Sequence, residues 1–207
     1  MAVKKKMESD PAGDTRVIAR CLKGDLNAYG DLVDRYSARV INMALMMVGD
    51  RHEAEDIAQD AFIRAYRALS GFRGRARFSS WLYQIALNLC RDHLKRRSRA
   101  GAPVPVEDGA LEGLRSGDDD STPDAILEAE LSETMRQEIA RLPYLYREAF
   151  VLRHLQGMDY DEVAAITRVA ADTVRVRAYR ARELLRERLA NAVDTYWREK
   201  AGKERVK

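Results

Sequence analysis

The 207-residue chain has only two cysteines, three histidines and five prolines, and aromatic residues make up 7% of it. Cys21 and Cys90 are too few and too far apart for a disulfide framework or a zinc knuckle, so each is read as a small hydrophobe packed in a helix. His52, His93 and His154 fall in no metal-ligand spacing, and no glycine-rich phosphate loop is present. No metal, cofactor or small-molecule substrate is therefore expected, and catalysis has no visible foothold. No run approaches the length and apolarity of a membrane span, and the amino-terminal MAVKKKMESDPAGD lacks the apolar core of a signal peptide. Membrane insertion is not expected, and a cytoplasmic location is. Scarce proline with abundant Ala, Leu, Arg and Glu favours helices over sheet, which predicts an all-α chain of one ordinary domain or two small ones.

A net charge of +3 would say little about nucleic acid if it were evenly spread. It is not. From Arg64 to Arg99 ten Lys or Arg stand against Asp92 alone, about +9, whereas from Ala100 to Asp124 seven acids stand against Arg115, about −6. The acidic stretch, rich in Gly, Pro, Ser and Asp and without helical period, reads as a flexible linker over residues 100–124 between two small helical domains. Its charge fits either simple solubility or occupation of a basic channel otherwise filled by nucleic acid.

Residues 1–14 read as a disordered tail. The first domain, residues 15–99, is predicted to hold helices near Thr15–Lys23, Leu26–Val48, His52–Leu69 and Ser79–Arg97. In the third, Ala54, Ile57, Ala58, Ala61, Phe62, Ala65, Tyr66 and Leu69 recur at three- and four-residue steps and define a core face. Its other face carries Glu53, Asp56, Gln59 and Asp60, then Arg64 and Arg67, an order that complements the helix dipole. Dipole matching with solvation explains these charges; a docking surface for a basic protein explains them equally.

The following segment, SGFRGRARFSSW, combines Phe72 and Phe78 with Arg73, Arg75 and Arg77. Rings and guanidinium planes stack unpaired bases while the cations track a backbone, which makes single-stranded nucleic acid one reading of this loop. The other places at least one phenylalanine in the core. Ser79 is a good helix N-cap, Leu82, Ile85, Ala86, Leu89 and His93 form an inward face, and Trp81, Gln84, Asn88, Arg91, Asp92 and Lys95 an outward one. A tryptophan heading a face of amides and cations could wedge into a duplex, or be buried.

The second domain, residues 125–195, opens with a helix from Ile126 to Arg141 and continues through LPYLYREAFVLRHLQG, where Pro143 suits a first turn and Gly157 a stop. Residues 196–207 form a basic carboxy-terminal tail. Between them Tyr160–Arg188 reads as a helix-turn-helix, with a short helix Asp161–Ile166 ahead of a long one. From Val174 onward, Val174, Ala178, Ala181, Leu185 and Leu189 turn inward, while Arg175, Tyr179, Arg182 and Arg186 form an outward stripe flanked by Val176 and Arg180. The amino-terminal end of such a helix meets base edges in the major groove, where arginine can bond guanine bidentately and Val176 can touch only a thymine methyl.

Four ordered segments, Glu53–Leu69, Phe78–Arg97, Leu142–Ala164 and Asp172–Leu189, together resemble the bacterial extracytoplasmic-function (ECF) sigma factors, a two-domain group of the sigma-70 family. The resemblance implies a non-enzymatic initiation factor that binds core RNA polymerase and promoter DNA, melts the upstream end of the bubble, and is held by an anti-sigma factor. It implies polymerase docking through Glu53, Asp56, Gln59 and Asp60. It implies minus ten recognition through Phe72, Arg73, Arg75, Arg77, Phe78, Ser79, Ser80 and Trp81, with Asn88, Arg91 and Lys95 nearby. It implies minus thirty-five recognition through Arg175, Val176, Tyr179 and Arg180, with Thr173 on a phosphate. The chain departs from the family's pattern at Thr167, Arg168, Asp172 and Val176. Arg168 falls where a left-handed turn is needed without glycine, and Asp172 is placed to cap the recognition helix. An autonomous helix-turn-helix regulator, or a sigma-like decoy that only binds an anti-sigma factor, would share parts of this pattern.

Overall fold

The computed structural model describes residues 11–74, 76–99 and 133–204. The tail through residue 10, Arg75, the acidic linker and the start of the helix expected from Ile126 lie outside the described residues. Among the described residues every regular element is helical, the class that the composition predicts. The chain divides into two compact units, Met1–Leu45 with Asp50–His93 and Met46–Gly49 with Leu94–Lys207.

The first unit contains α1 (Pro11–Leu22), all but the last turn of α2 (Leu26–Val48), α3 (Arg51–Ala68), a 3-10 turn (Leu69–Gly71) and the greater part of α4, which starts at Phe78 and ends at Arg99. The first helix starts at Pro11, ahead of the expected Thr15, and Asp14 inside it explains why. Its carboxylate is buried, accepts a hydrogen bond from the Tyr36 hydroxyl and pairs with the Arg35 guanidinium, both on α2. A buried carboxylate is stable only when so partnered, and the partnership pins the first turn of α1 to α2. Burial, and then the bond to Asp14, hold the Tyr36 phenol above its ordinary pKa.

Asp50 caps α3 by accepting from the Glu53 amide at 2.9 Å. Ala54, Ile57, Ala58, Ala61, Phe62 and Ala65 are buried, and small side chains on four of these six positions let neighbouring helices approach closely. Tyr66, expected on this face, is 42% exposed. At about 100° per residue it falls at the edge of the apolar arc, so its ring leaves the core and meets Tyr29 edge-on at 4.9 Å, while the Tyr29 hydroxyl donates to the Phe62 carbonyl at 2.7 Å. In α4 Leu82, Tyr83, Ala86, Leu87, Leu89 and Cys90 are all buried, so the helix packs on more than the one face expected, and Ile85 and His93 lie at its margins. Ser79 falls inside the first turn and is buried, so it does not serve as the expected cap.

The second unit contains α5 over residues 133–140, α6 (Tyr144–Phe150), a π-helical turn (Val151–Leu155), α7 (Tyr160–Thr167) and α8 (Ala171–Glu204). Pro143 stands one position earlier than expected, as the cap residue of α6 with extended backbone. The buried Arg147 donates to the carbonyls of Ala140 and, at 2.9 Å, Leu142, satisfying acceptors left over at the end of α5. Desolvation lowers its pKa to about 10, which still leaves it cationic at neutral pH. Gly157, at φ +71, ends the π turn as its position predicts, and α6 and α7 both pack on α8.

Asp14→Ala should leave the Tyr36 hydroxyl buried without its acceptor and cost about 1–3 kcal/mol. In the full chain this is expected as a lower urea midpoint with faster amide exchange in α1; unchanged exchange there would contradict the anchoring role.

Candidate nucleic-acid interface

Each helix with a buried face leaves a complementary exposed one, and three such faces carry many, not all, of the site residues expected from sequence. On α3, Asp56, Gln59 and Asp60 are exposed at helical spacing. Glu53 is only half-exposed, and its carboxylate lies 3.0 Å from His93 Nε2 on α4, so the structure draws it partly away from the other three. The helical period did not reveal what lies beside them. Ile63, 41% exposed, lines with Gln59 and Tyr66 an apolar groove bounded by Val33, Ser37 and Ile41 of α2. An isoleucine out of step with the core stripe was the available signal.

The second face combines the loop after the 3-10 turn with α4. Phe78 is buried, with its ring 5.7 Å from both Tyr36 and Trp81. Phe72 is half-buried against Phe78 at 5.8 Å and Trp81 at 5.1 Å. One phenylalanine thus supports the core, and the other forms, with Trp81, a partly exposed aromatic step. Trp81 is neither fully outward nor fully buried. Gly74 at φ +66 turns the loop, with Arg73 and Arg77 exposed on either side of it. Ser79 and Ser80, grouped with this face from sequence, are both 7% exposed and sit beneath it. Asn88 and Lys95 are exposed and Arg91 half-exposed, in line with Trp81 along the helix, and Arg91 Nη1 donates to Asn88 Oδ1 at 3.3 Å.

The third face is the helix-turn-helix. Asp159 and Glu162 form a reciprocal capping box at the head of α7, their bonds 2.7 and 3.1 Å long. At the other end Arg168 adopts the left-handed conformation that its place in the turn requires, φ 58 and ψ 39, and its amide donates to the Ala164 carbonyl at 2.8 Å. It is the only non-glycine with positive φ among the described residues. Val163 of α7 and Val174, Ala178, Ala181 and Leu185 of α8 are all buried where the two helices pack, so α8 is held by the inward face expected, except that Leu189 is only half-buried. Thr173, Arg175, Val176, Tyr179 and Arg180 all stand exposed on the amino-terminal turns of α8, and Val176 and Tyr179 are 59% and 56% exposed. Exposed apolar side chains in the midst of arginines fit a surface that meets base edges as well as phosphates. Asp172 lies inside the first turn of α8 and pairs with Arg175, so it acts on the helix through charge and not as the expected cap. Desolvation, then Arg153 and Arg182, push the His154 pKa down, so this ring adds no charge near neutral pH.

Among the described residues no three His, Cys, Asp or Glu side chains gather as a metal site, and no helix is long and apolar enough to cross a membrane.

Residues 32–100 match Sigma-70 region 2, and residues 132–185 match Sigma-70, region 4. The chain is 38% identical over 176 residues to the RNA polymerase sigma-H factor of Pseudomonas aeruginosa, covering 83% of this chain and 91% of that one. It is 38% identical over 177 residues to the ECF RNA polymerase sigma factor SigW of Bacillus subtilis, covering 83% and 94%. Among solved structures it is similar to CnrH in complex with the cytosolic domain of CnrY, at 27% identity and a TM-score of 0.62, covering 86% of this chain and 98% of that one.

The left-handed turn supplies a local test. Arg168→Gly relieves the side-chain penalty of that conformation, partly offset by a more flexible unfolded chain, and should stabilise the protein by up to about 1 kcal/mol. A lower urea midpoint for this variant would contradict the strain assigned to the turn.

Proposed function

The chain belongs to the ECF group of the sigma-70 family, and on that premise we propose how its exposed faces share the work. It is a sigma factor: it binds core RNA polymerase, directs it to specific promoters and promotes melting of the duplex for initiation. We assign residues 15–99 to polymerase docking, minus ten recognition and melting, residues 100–124 to a linker, and residues 125–195 to minus thirty-five recognition. Asp56, Gln59 and Asp60, with Glu53 at their margin, dock on a basic surface of the polymerase. The step formed by Phe72 and Trp81 takes up unstacked bases, while Arg73, Arg75 and Arg77 follow the backbone and Asn88, Arg91 and Lys95 contact the adjoining duplex. Phe78, Ser79 and Ser80 act from beneath by shaping that step. In the other unit Arg175, Val176, Tyr179 and Arg180 read base edges, and Thr173 meets a phosphate. The chain supplies no bond-making step in this reading; the polymerase does, and its place of action is the cytoplasm.

The observation that carries this assignment is the occurrence of two exposed nucleic-acid faces of different chemistry on two separate units. One is aromatic and suited to unstacked bases, the other arginine-rich and suited to a major groove. Neither suffices alone. A base-reading helix offers a few contacts of about 1–3 kcal/mol each, and unstacking a base costs a few kcal/mol, so the polymerase must hold both units at high effective concentration. Control by an anti-sigma factor completes the reading, in keeping with the partner-bound state in which the similar CnrH was solved.

Run-off transcription with purified core polymerase tests it. The intact chain should start transcription at a discrete set of promoters, and Arg180→Ala should weaken those that depend on the upstream element by about five- to a hundredfold. Trp81→Ala should leave upstream recognition intact and impair opening, and a template with a pre-melted bubble should restore it. Normal permanganate reactivity of the bubble in Trp81→Ala would refute the role given to the aromatic step.

A further inference from the structure

The arginine at the head of α8 does not stand in open solvent. Arg175 is 59% exposed at its side chain, yet its Nη1 pairs with Asp172 and its guanidinium carbon lies 5.1 Å from the centre of the Tyr160 ring. The same ring carries a second guanidinium, that of Arg153, at 4.9 Å, and Arg153 is itself fixed by donating from Nη1 to the Met158 carbonyl at 3.0 Å. Tyr160 opens α7, and the capping box formed by Asp159 and Glu162 sets the backbone there. A chain of contacts thus runs from the loop before α7, through the Tyr160 ring, to the tip of an arginine on α8.

We propose that Tyr160 and Asp172 are positioning residues that pre-set Arg175 for a single base pair, so that its contribution is to discrimination more than to general affinity for DNA. This rests on α8 reading the upstream promoter element. An arginine reads guanine through a planar fork, and its long side chain otherwise loses much rotamer freedom on binding. A ring supporting the plane and a carboxylate holding one terminal nitrogen remove part of that loss beforehand. Asp172 adds a second effect. Its side chain is 87% exposed and negative at the end of the helix that approaches DNA, so it opposes phosphates generally. A sequence that offers Arg175 a good acceptor compensates for exchange of that carboxylate; other sequences do not. Both effects sharpen selectivity, and the second lowers non-specific binding.

The test uses holoenzyme assembled from the full chain and core polymerase, with promoter fragments varied base by base through the upstream element and assayed in competition. Arg175→Ala should flatten the preference at one base pair. Tyr160→Leu should flatten it at that same base pair by about three- to tenfold, Tyr160→Phe should retain it, and Asp172→Asn should flatten it while strengthening binding to all competitors. Tyr160→Leu added to Arg175→Ala should change nothing further at that position. A uniform loss across all sequences in Tyr160→Leu, not rescued by Tyr160→Phe, would reduce the ring to a packing role and overturn its part. Unchanged base preference in Asp172→Asn, whose exposed side chain spares the fold, would overturn the carboxylate's part. Failure of the underlying reading has a different signature, with Arg175→Ala itself leaving every upstream preference intact, and that outcome removes both.

Discussion

A helix can offer a charged stripe to a large partner only while its reverse face is locked, and here the lock is an apolar seam built largely on alanine. On α3 the seam is Ala54, Ala58, Ala61 and Ala65 with Ile57 and Phe62, and on α8 it is Ala178 and Ala181 with Val174 and Leu185. Alanine contributes little transfer free energy of its own, but it lets helices approach until the larger neighbours make full contact, and each fully buried Leu, Ile or Phe then stabilises by about 1.5–3 kcal/mol. Rotation of either helix by one residue would bury charges and withdraw the functional stripe. The docking and base reading proposed for these stripes therefore depend on the same packing that holds the fold.

The elements were legible because this packing writes itself into sequence as a helical period. Both ends of α2 fall where the pattern sets them, the inward and outward faces of α8 divide as the spacing predicts through Leu185, and Arg168 takes the left-handed conformation that its position demands. What stayed hidden depends on contacts between segments far apart in the chain. No local pattern shows that Asp14 bonds Tyr36 and Arg35, and this is why α1 starts earlier than its apolar period implies. Nor does local pattern say that α4 is enclosed on more than one face, which buries Ser79 and Ser80 where a one-sided helix would have exposed them.

The candidate sites show the same division. Residue types and helical spacing were enough to collect Asp56, Gln59 and Asp60 on one face and Arg175, Val176, Tyr179 and Arg180 on another. They did not show the partial capture of Glu53 by His93, the stacking of Phe72 on Trp81, or the hold of Tyr160 and Asp172 on Arg175. Each of these is a side-chain contact across a turn or between helices, set by packing geometry that composition and period do not encode. They refine which members of each face are available to a partner and which support the others.

In the function proposed for them, the aromatic step and the arginine stripe each bind nucleic acid weakly alone, and only the polymerase makes them act together. The most direct test is a footprint of the pure chain on a promoter selected by its own holoenzyme, with and without core polymerase. Protection of both promoter elements is predicted only when core polymerase is present, with weak and sequence-indifferent binding by the chain alone. Nanomolar, promoter-specific protection of both elements by the pure chain would contradict it.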